Sequence, residues 1–157
     1  MTIFQPWTFR IARAILLLLT GFLAFAQVEG TLFGIGDGDG KVTTWQGILL
    51  AVTALGILVL LFAAFGSFSR NIAFAFAGLT GGLLVLPMAV LFGWGQLYPI
   101  IVDSLHGIHT GTLPWILAGG ALPFSLTTIF TSRQAIKRNA DVSGLGASIQ
   151  PKYKQPE

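Results

Sequence analysis

The chain has 157 residues, of which 54% are apolar and 10% charged, whereas a soluble domain carries about a quarter charged residues. That charge fraction, with a mean hydropathy of +0.77, leaves no polar coat for a water-facing surface, which excludes a soluble globular domain and indicates an all-α integral membrane protein. The absence of cysteine excludes disulfides, thiolate nucleophiles, Cys-ligated zinc, iron–sulfur clusters and c-type haem attachment.

A helix needs about 20 apolar residues, rising about 1.5 Å each, to cross the hydrocarbon. Four stretches meet that requirement. The first spans about 11–31, with AILLLLTGFLAFAQV at its centre, and the second about 47–66, reading GILLAVTALGILVLLFAAFG. The third spans about 72–93 and the fourth about 113–131, with Pro87 and Pro123 inside them. A proline inside a span is tolerated where neighbours re-satisfy the freed carbonyl, so both are read as packing kinks. Arg10, Arg13 and the run Ala24-Phe25-Ala26 also resemble a secretory signal, whose removal would leave three spans. The apolar run continues to Ile35, so four spans are retained.

Arg10, Arg13, Arg70, Arg133, Lys137, Arg138, Lys152 and Lys154 all fall on one side of these spans, against Asp141 and Glu157. The other side carries Lys41 against Glu29, Asp37, Asp39 and Asp103. The positive-inside rule then predicts an up-down bundle with N- and C-termini cytoplasmic. Trp7, Trp45, Trp94, Tyr98 and Trp115 lie near the span ends, where amphipathic rings favour the headgroup layer.

Small and weakly polar residues recur at helical spacing, as close approach of membrane helices requires. In the fourth span Ala118, Ala121, Ser125, Thr128 and Ser132 form one continuous face. In the first, Arg13, Thr20, Ala24, Gln27 and Thr31 share a face; in the third, Ala73, Ala77 and Gly81 do, with Gly78 and Gly82 as a small-xxx-small pair. These are read as packing faces within the bundle, with homo-oligomerisation through Gly78 and Gly82 the weaker reading. The opposite faces are rich in Leu, Ile, Val and Phe and suit lipid or a larger membrane partner equally.

Between the third and fourth spans, Leu97, Ile101, Leu105 and Ile108 alternate with Asp103, His106 and His109, the pattern of a short amphipathic interfacial helix over 97–110. Asp103, His106 and His109 are the metal-ligand candidates, since carboxylate and imidazole suit zinc, copper or iron. Asp37 and Asp39 in the Gly-rich run 34–40 could add oxygen ligands. Counted from Asp37, however, the fifth and twelfth positions of a calcium loop hold Lys41 and Ile48, so that reading fails. Glu29, in the outer leaflet at the end of the first span, is the one membrane-carboxylate candidate.

The 133–157 segment reads as a basic, flexible cytoplasmic tail, in which Arg133, Lys137 and Arg138 would meet anionic lipid or a partner and no nucleic acid. Walker, nucleophile-elbow and zincin motifs are absent from the sequence, and no catalytic or cofactor-binding residues are assigned. The expected role is a non-catalytic accessory subunit bound to other integral membrane subunits in the plasma membrane. By analogy alone, the expected host is a bacterial respiratory (electron-transport) complex. The alternatives are a small homo-oligomeric transporter or channel with Glu29, Gln27 and Thr20 lining a path, and an outer-face metal-binding protein at Asp103, His106 and His109.

Overall fold

A computed structural model of the chain describes residues 7–36, 42–68, 71–107 and 112–148. All regular structure among them is helical: α1 (Trp7–Gly36), α2 (Thr44–Phe65), a 3₁₀ turn (Gly66–Phe68), α3 (Ala73–Met88), a π-helical turn (Ala89–Trp94), α4 (Gly95–Leu105) and α5 (Thr112–Ser148). Four stretches are long and apolar enough to cross a membrane: Trp7–Leu32, Thr44–Phe68, Ala73–Leu105 and Trp115–Arg138.

The helix ends are set by local chemistry. α2 begins earlier than its apolar run because Thr43 and Gln46 form a capping box: the Gln46 amide donates to Thr43 Oγ1 at 3.3 Å and the Thr43 amide to Gln46 Oε1 at 3.0 Å. At the start of α3 the Asn71 side chain accepts from the Ala73 amide at 2.9 Å. α4 ends at Leu105, two residues before Gly107, whose φ of +76° lies in the left-handed region that only glycine enters freely.

The third apolar stretch does not stop before the interfacial segment. Pro87 has no N–H to donate to the Leu83 carbonyl, and shortly after it the ladder widens into the π-helical turn and runs on as α4. The expected interfacial helix is therefore the continuation of α3, with no residue of α4 buried. Its predicted apolar side, at Ile101 and Leu105, is exposed, and Ile108 lies outside the described residues. α5 likewise continues through Ser148, so the first turns of the predicted tail are helical. Ala135 is buried there, and the Arg138 guanidinium sits 5.1 Å over the Phe9 ring.

Neighbouring helices pack with opposite chain directions. Trp7 meets Phe68 while Gly21 approaches Leu60 in α2. Gly56 and Gly81 lie against Val85 and Leu60 across α2 and α3, and Gly78 and Gly82 lie against Ser132 and Ile129 across α3 and α5. Two interiors of different character result. Between α1, α2 and α3 the core is apolar: Leu17, Ala24, Leu60, Ala63, Ala64 and Val85. Between α1, α3 and α5 it is polar, lined by Arg13, Thr20, Gln27, Ser125, Thr128 and Ser132, all buried.

Within the first of these the helices approach closely. A methyl on Gly81 would sit 2.8 Å from Leu60 Cγ and 3.0 Å from the Leu60 backbone nitrogen, so only hydrogen fits there. Lipid tails are as apolar as leucine, so such backbone contact and its dispersion attraction, not the hydrophobic effect, hold these helices together.

Candidate functional site

The polar seam follows from spacing. Arg13, Thr20 and Gln27 are seven residues apart on α1 and Ser125 and Ser132 seven apart on α5, so each set repeats every second turn on one face. Unpaired hydroxyls in hydrocarbon are costly, and here those of Thr20, Thr31, Ser125 and Thr128 each have a partner close by. Thr31 donates to Gln27 O at 2.7 Å and Ser125 to Ala121 O at 2.8 Å, each to the carbonyl one turn back. Across the helices, Thr20 Oγ1 and Thr128 Oγ1 lie 2.7 Å apart, with Thr20 also 2.8 Å from Leu16 O.

At one end of the seam Arg13 Nη2 donates to Phe74 O at 3.0 Å, tying α1 to α3. The Arg13 Nε and the Ser132 hydroxyl are buried with no hydrogen-bond partner among the described residues. Gly78 makes room for both, since a methyl there would stand 2.7 Å from Ser132 Oγ and 3.2 Å from Arg13 Nη2. Arg13 was expected to act as an orientation signal at the membrane surface as well as to share the packed face. Its burial shows that it also ties helices together.

At the other end, Gln27 is 6% exposed and neither atom of its amide has a partner among the described residues. It faces the π-helical turn: a methyl on Gly93 would stand 2.8 Å from Gln27 Nε2, 3.1 Å from Ala121 Cβ and 3.3 Å from Ala118 O. A buried amide left without partners is costly.

The structure separates the residues of the transport path. Thr20 and Gln27 are packed between helices, whereas Glu29 is exposed on the far side of α1, on a face that also carries Phe22, Phe25 and Leu32. Gly78 and Gly82 meet α5 of the same chain, and Ala118, Ala121, Ser125 and Thr128 form the facing surface. Of the third-span face predicted from Ala73, Ala77 and Gly81, Gly81 is buried, Ala77 is half-buried against the apolar core and Ala73 is exposed, and the buried surface of α3 also takes in Ala75, Gly78, Gly82 and Val85.

Asp103 is half-buried and His106 exposed one turn on, while His109, Asp37 and Asp39 lie outside the described residues. His106 Nδ1 lies 2.7 Å from Val102 O. A carbonyl only accepts, so Nδ1 is the donor in that contact. No group of three metal-ligating side chains occurs among the described residues. Arg133, Lys137 and Arg138 are exposed at the end that carries Arg10 and Phe9.

Sequence reasoning found the α1 and α5 faces but missed two things. One is the arginine tether, whose signal was an arginine in register with Thr20 and Gln27. The other is the contact of Gly93 with Gln27, which depends on the π-helical turn. Comparison with protein-family models, with curated proteins and with solved structures finds no match.

Proposed function

We propose that the chain is a non-catalytic accessory subunit of a larger membrane assembly, with its four spans in an up-down bundle and both termini cytoplasmic. The observation that supports this most is the placement of Glu29. The carboxylate stands on the outward face of α1, away from Thr20 and Gln27. A carboxylate there has no path within its own chain to serve, and an ionisable group at membrane depth calls for a partner outside it. The rest of the outward surface, with Phe22, Phe25, Phe62, Phe76 and Phe130 exposed, suits contact with other membrane helices.

The host we propose is a bacterial respiratory complex of the plasma membrane. The test is purification of the tagged chain from its native membrane in mild detergent, with identification of stoichiometric companions by mass spectrometry. A constant set of large integral subunits, depleted by Glu29→Gln, is the expected result. Recovery of homo-oligomers alone, with solute flux in vesicles abolished by Glu29→Gln, would replace this reading with transport.

A further inference from the structure

Beside the polar seam the structure holds a second feature that the accessory role does not use. An apolar groove of about 320 Å³ opens between α1 and α2, lined by Ile11, Ala14, Ile15 and Leu18 on one wall and Ala64, Phe65 and Phe68 on the other. From Ile11 to Leu18 it follows α1 for about 10 Å. Arg10 stands at one end, its Nη1 donating to the carbonyl of the groove residue Phe68 at 3.2 Å. The Arg10 Nε is buried with no partner among the described residues. A guanidinium has five N–H groups, and among the described residues Arg10 makes one hydrogen bond, to Phe68. Trp7, exposed and 5.9 Å from the Phe68 ring, flanks the same end.

We infer that this groove is a binding site for one anionic phospholipid, its phosphate held by Arg10 and one acyl chain laid along Ile11–Leu18. Direction supports the assignment. Trp7 and Arg10 open the first apolar stretch, where indole rings and cations meet headgroups, and the groove leads from them toward the middle of that stretch, as an acyl chain does. Size supports it too. A groove of this volume, lined by apolar side chains alone along about 10 Å of α1, admits a length of one flexible hydrocarbon chain. An open groove in hydrocarbon does not stay empty, because its lining would forfeit contacts. Transfer of a chain from bilayer to groove gains no hydrophobic energy, so selectivity comes from charge at Arg10. Arg138, stacked on Phe9, and the exposed Arg133 and Lys137 add positive charge at the same end of the molecule. The site is independent of the accessory reading and would stand if that reading fell.

The test titrates the intact chain, purified in mild detergent, with phosphatidylglycerol and with phosphatidylcholine of identical acyl chains, counting bound lipid by native mass spectrometry. One phosphatidylglycerol per chain is retained in preference to phosphatidylcholine. Arg10→Gln lowers that preference about fivefold, the factor one surface cation contributes toward an anionic membrane. Arg133→Gln, exposed on α5 outside the groove, lowers it less, through general surface charge alone. Leu18→Trp, at an exposed groove position with Arg10 intact, lowers retention of both lipids and keeps the proposal testable if Arg10→Gln fails to fold. Equal losses for Arg10→Gln and Arg133→Gln would replace the site with diffuse surface charge, and undiminished retention in Leu18→Trp would refute the groove as its seat. Capture of a polypeptide in place of lipid by a photo-crosslinker at position 18 in native membranes would overturn the proposal in favour of a protein occupant.

Discussion

The Thr20–Thr128 contact allows a test of how the two polar helices are joined. A hydroxyl has one hydrogen. Thr20 lies 2.8 Å from Leu16 O and 2.7 Å from Thr128 Oγ1, and both threonines are fully buried. Both hydrogens find acceptors if Thr20 donates to Leu16 O and Thr128 donates to Thr20. Thr20→Val then removes the acceptor of Thr128 as well as its own bond, while Thr128→Val leaves Thr20 still bonded within α1. Valine keeps the shape, so the loss is that of the hydroxyl. The expected costs are about 1–1.5 kcal/mol for Thr20→Val and about 0.5–1 kcal/mol for Thr128→Val, below a full orphan penalty because Thr128 can turn toward the carbonyl one turn back. The coupling energy between them should be near ~0.6 kcal/mol, with about 1.7 kcal/mol as the ceiling for such pairs in membranes. Reversible unfolding from mild detergent into SDS, followed by helicity, measures all four corners of the cycle. A parallel cycle on Thr20 and Thr53, which bonds within α2 to Leu49 O at 2.8 Å, should show no coupling beyond about 0.5 kcal/mol. Zero coupling for Thr20 with Thr128, or a larger cost for Thr128→Val than for Thr20→Val, would refute the assigned direction of the bond.

Gly81→Ala places a methyl 2.8 Å from Leu60 Cγ and 3.0 Å from its backbone nitrogen, so α2 and α3 must separate. The same unfolding assay should show a loss of about 1–3 kcal/mol, and unchanged stability would mean that the helices are not in backbone contact. Gln27→Met replaces a buried amide without partners by an apolar chain of similar size and should stabilise by about 1–3 kcal/mol; destabilisation would show that the amide is satisfied in the membrane. Because the sequence has no cysteine, single cysteines at Asp39 and Lys154 report topology directly. In sealed vesicles of known orientation an impermeant maleimide should label them from opposite faces, and labelling from one face would overturn the proposed four crossings.

The sequence alone determined that the chain is helical and has four apolar stretches, because 10% charged residues cannot clothe a surface in water and a lipid-spanning backbone has to satisfy its own hydrogen bonds. It also determined the small faces of α1 and α5, because residues three and four apart share a helix side whatever they pack against. Helix ends were less legible. The start of α2 rests on a Thr43–Gln46 capping box outside the apolar run, and the α3–α4 continuation depends on a ladder that adjusts after Pro87 where hydropathy predicts a stop.

Only the tertiary structure decided what the faces meet. Spacing puts Gly78 beside a small residue, but not in the gap that admits Arg13 and Ser132. Spacing likewise puts Glu29 within the first span, but only the packing of α1 against its neighbours turned it outward while Gln27, two residues earlier, went in. The groove beside Arg10 lies between two helices joined through a distant turn, and no local pattern encodes a space bounded by residues about fifty positions apart. Periodicity fixes which residues share a side, because it is a property of one helix. The choice of neighbour belongs to pairs of helices, where lipid and protein are equally apolar and close contact alone decides.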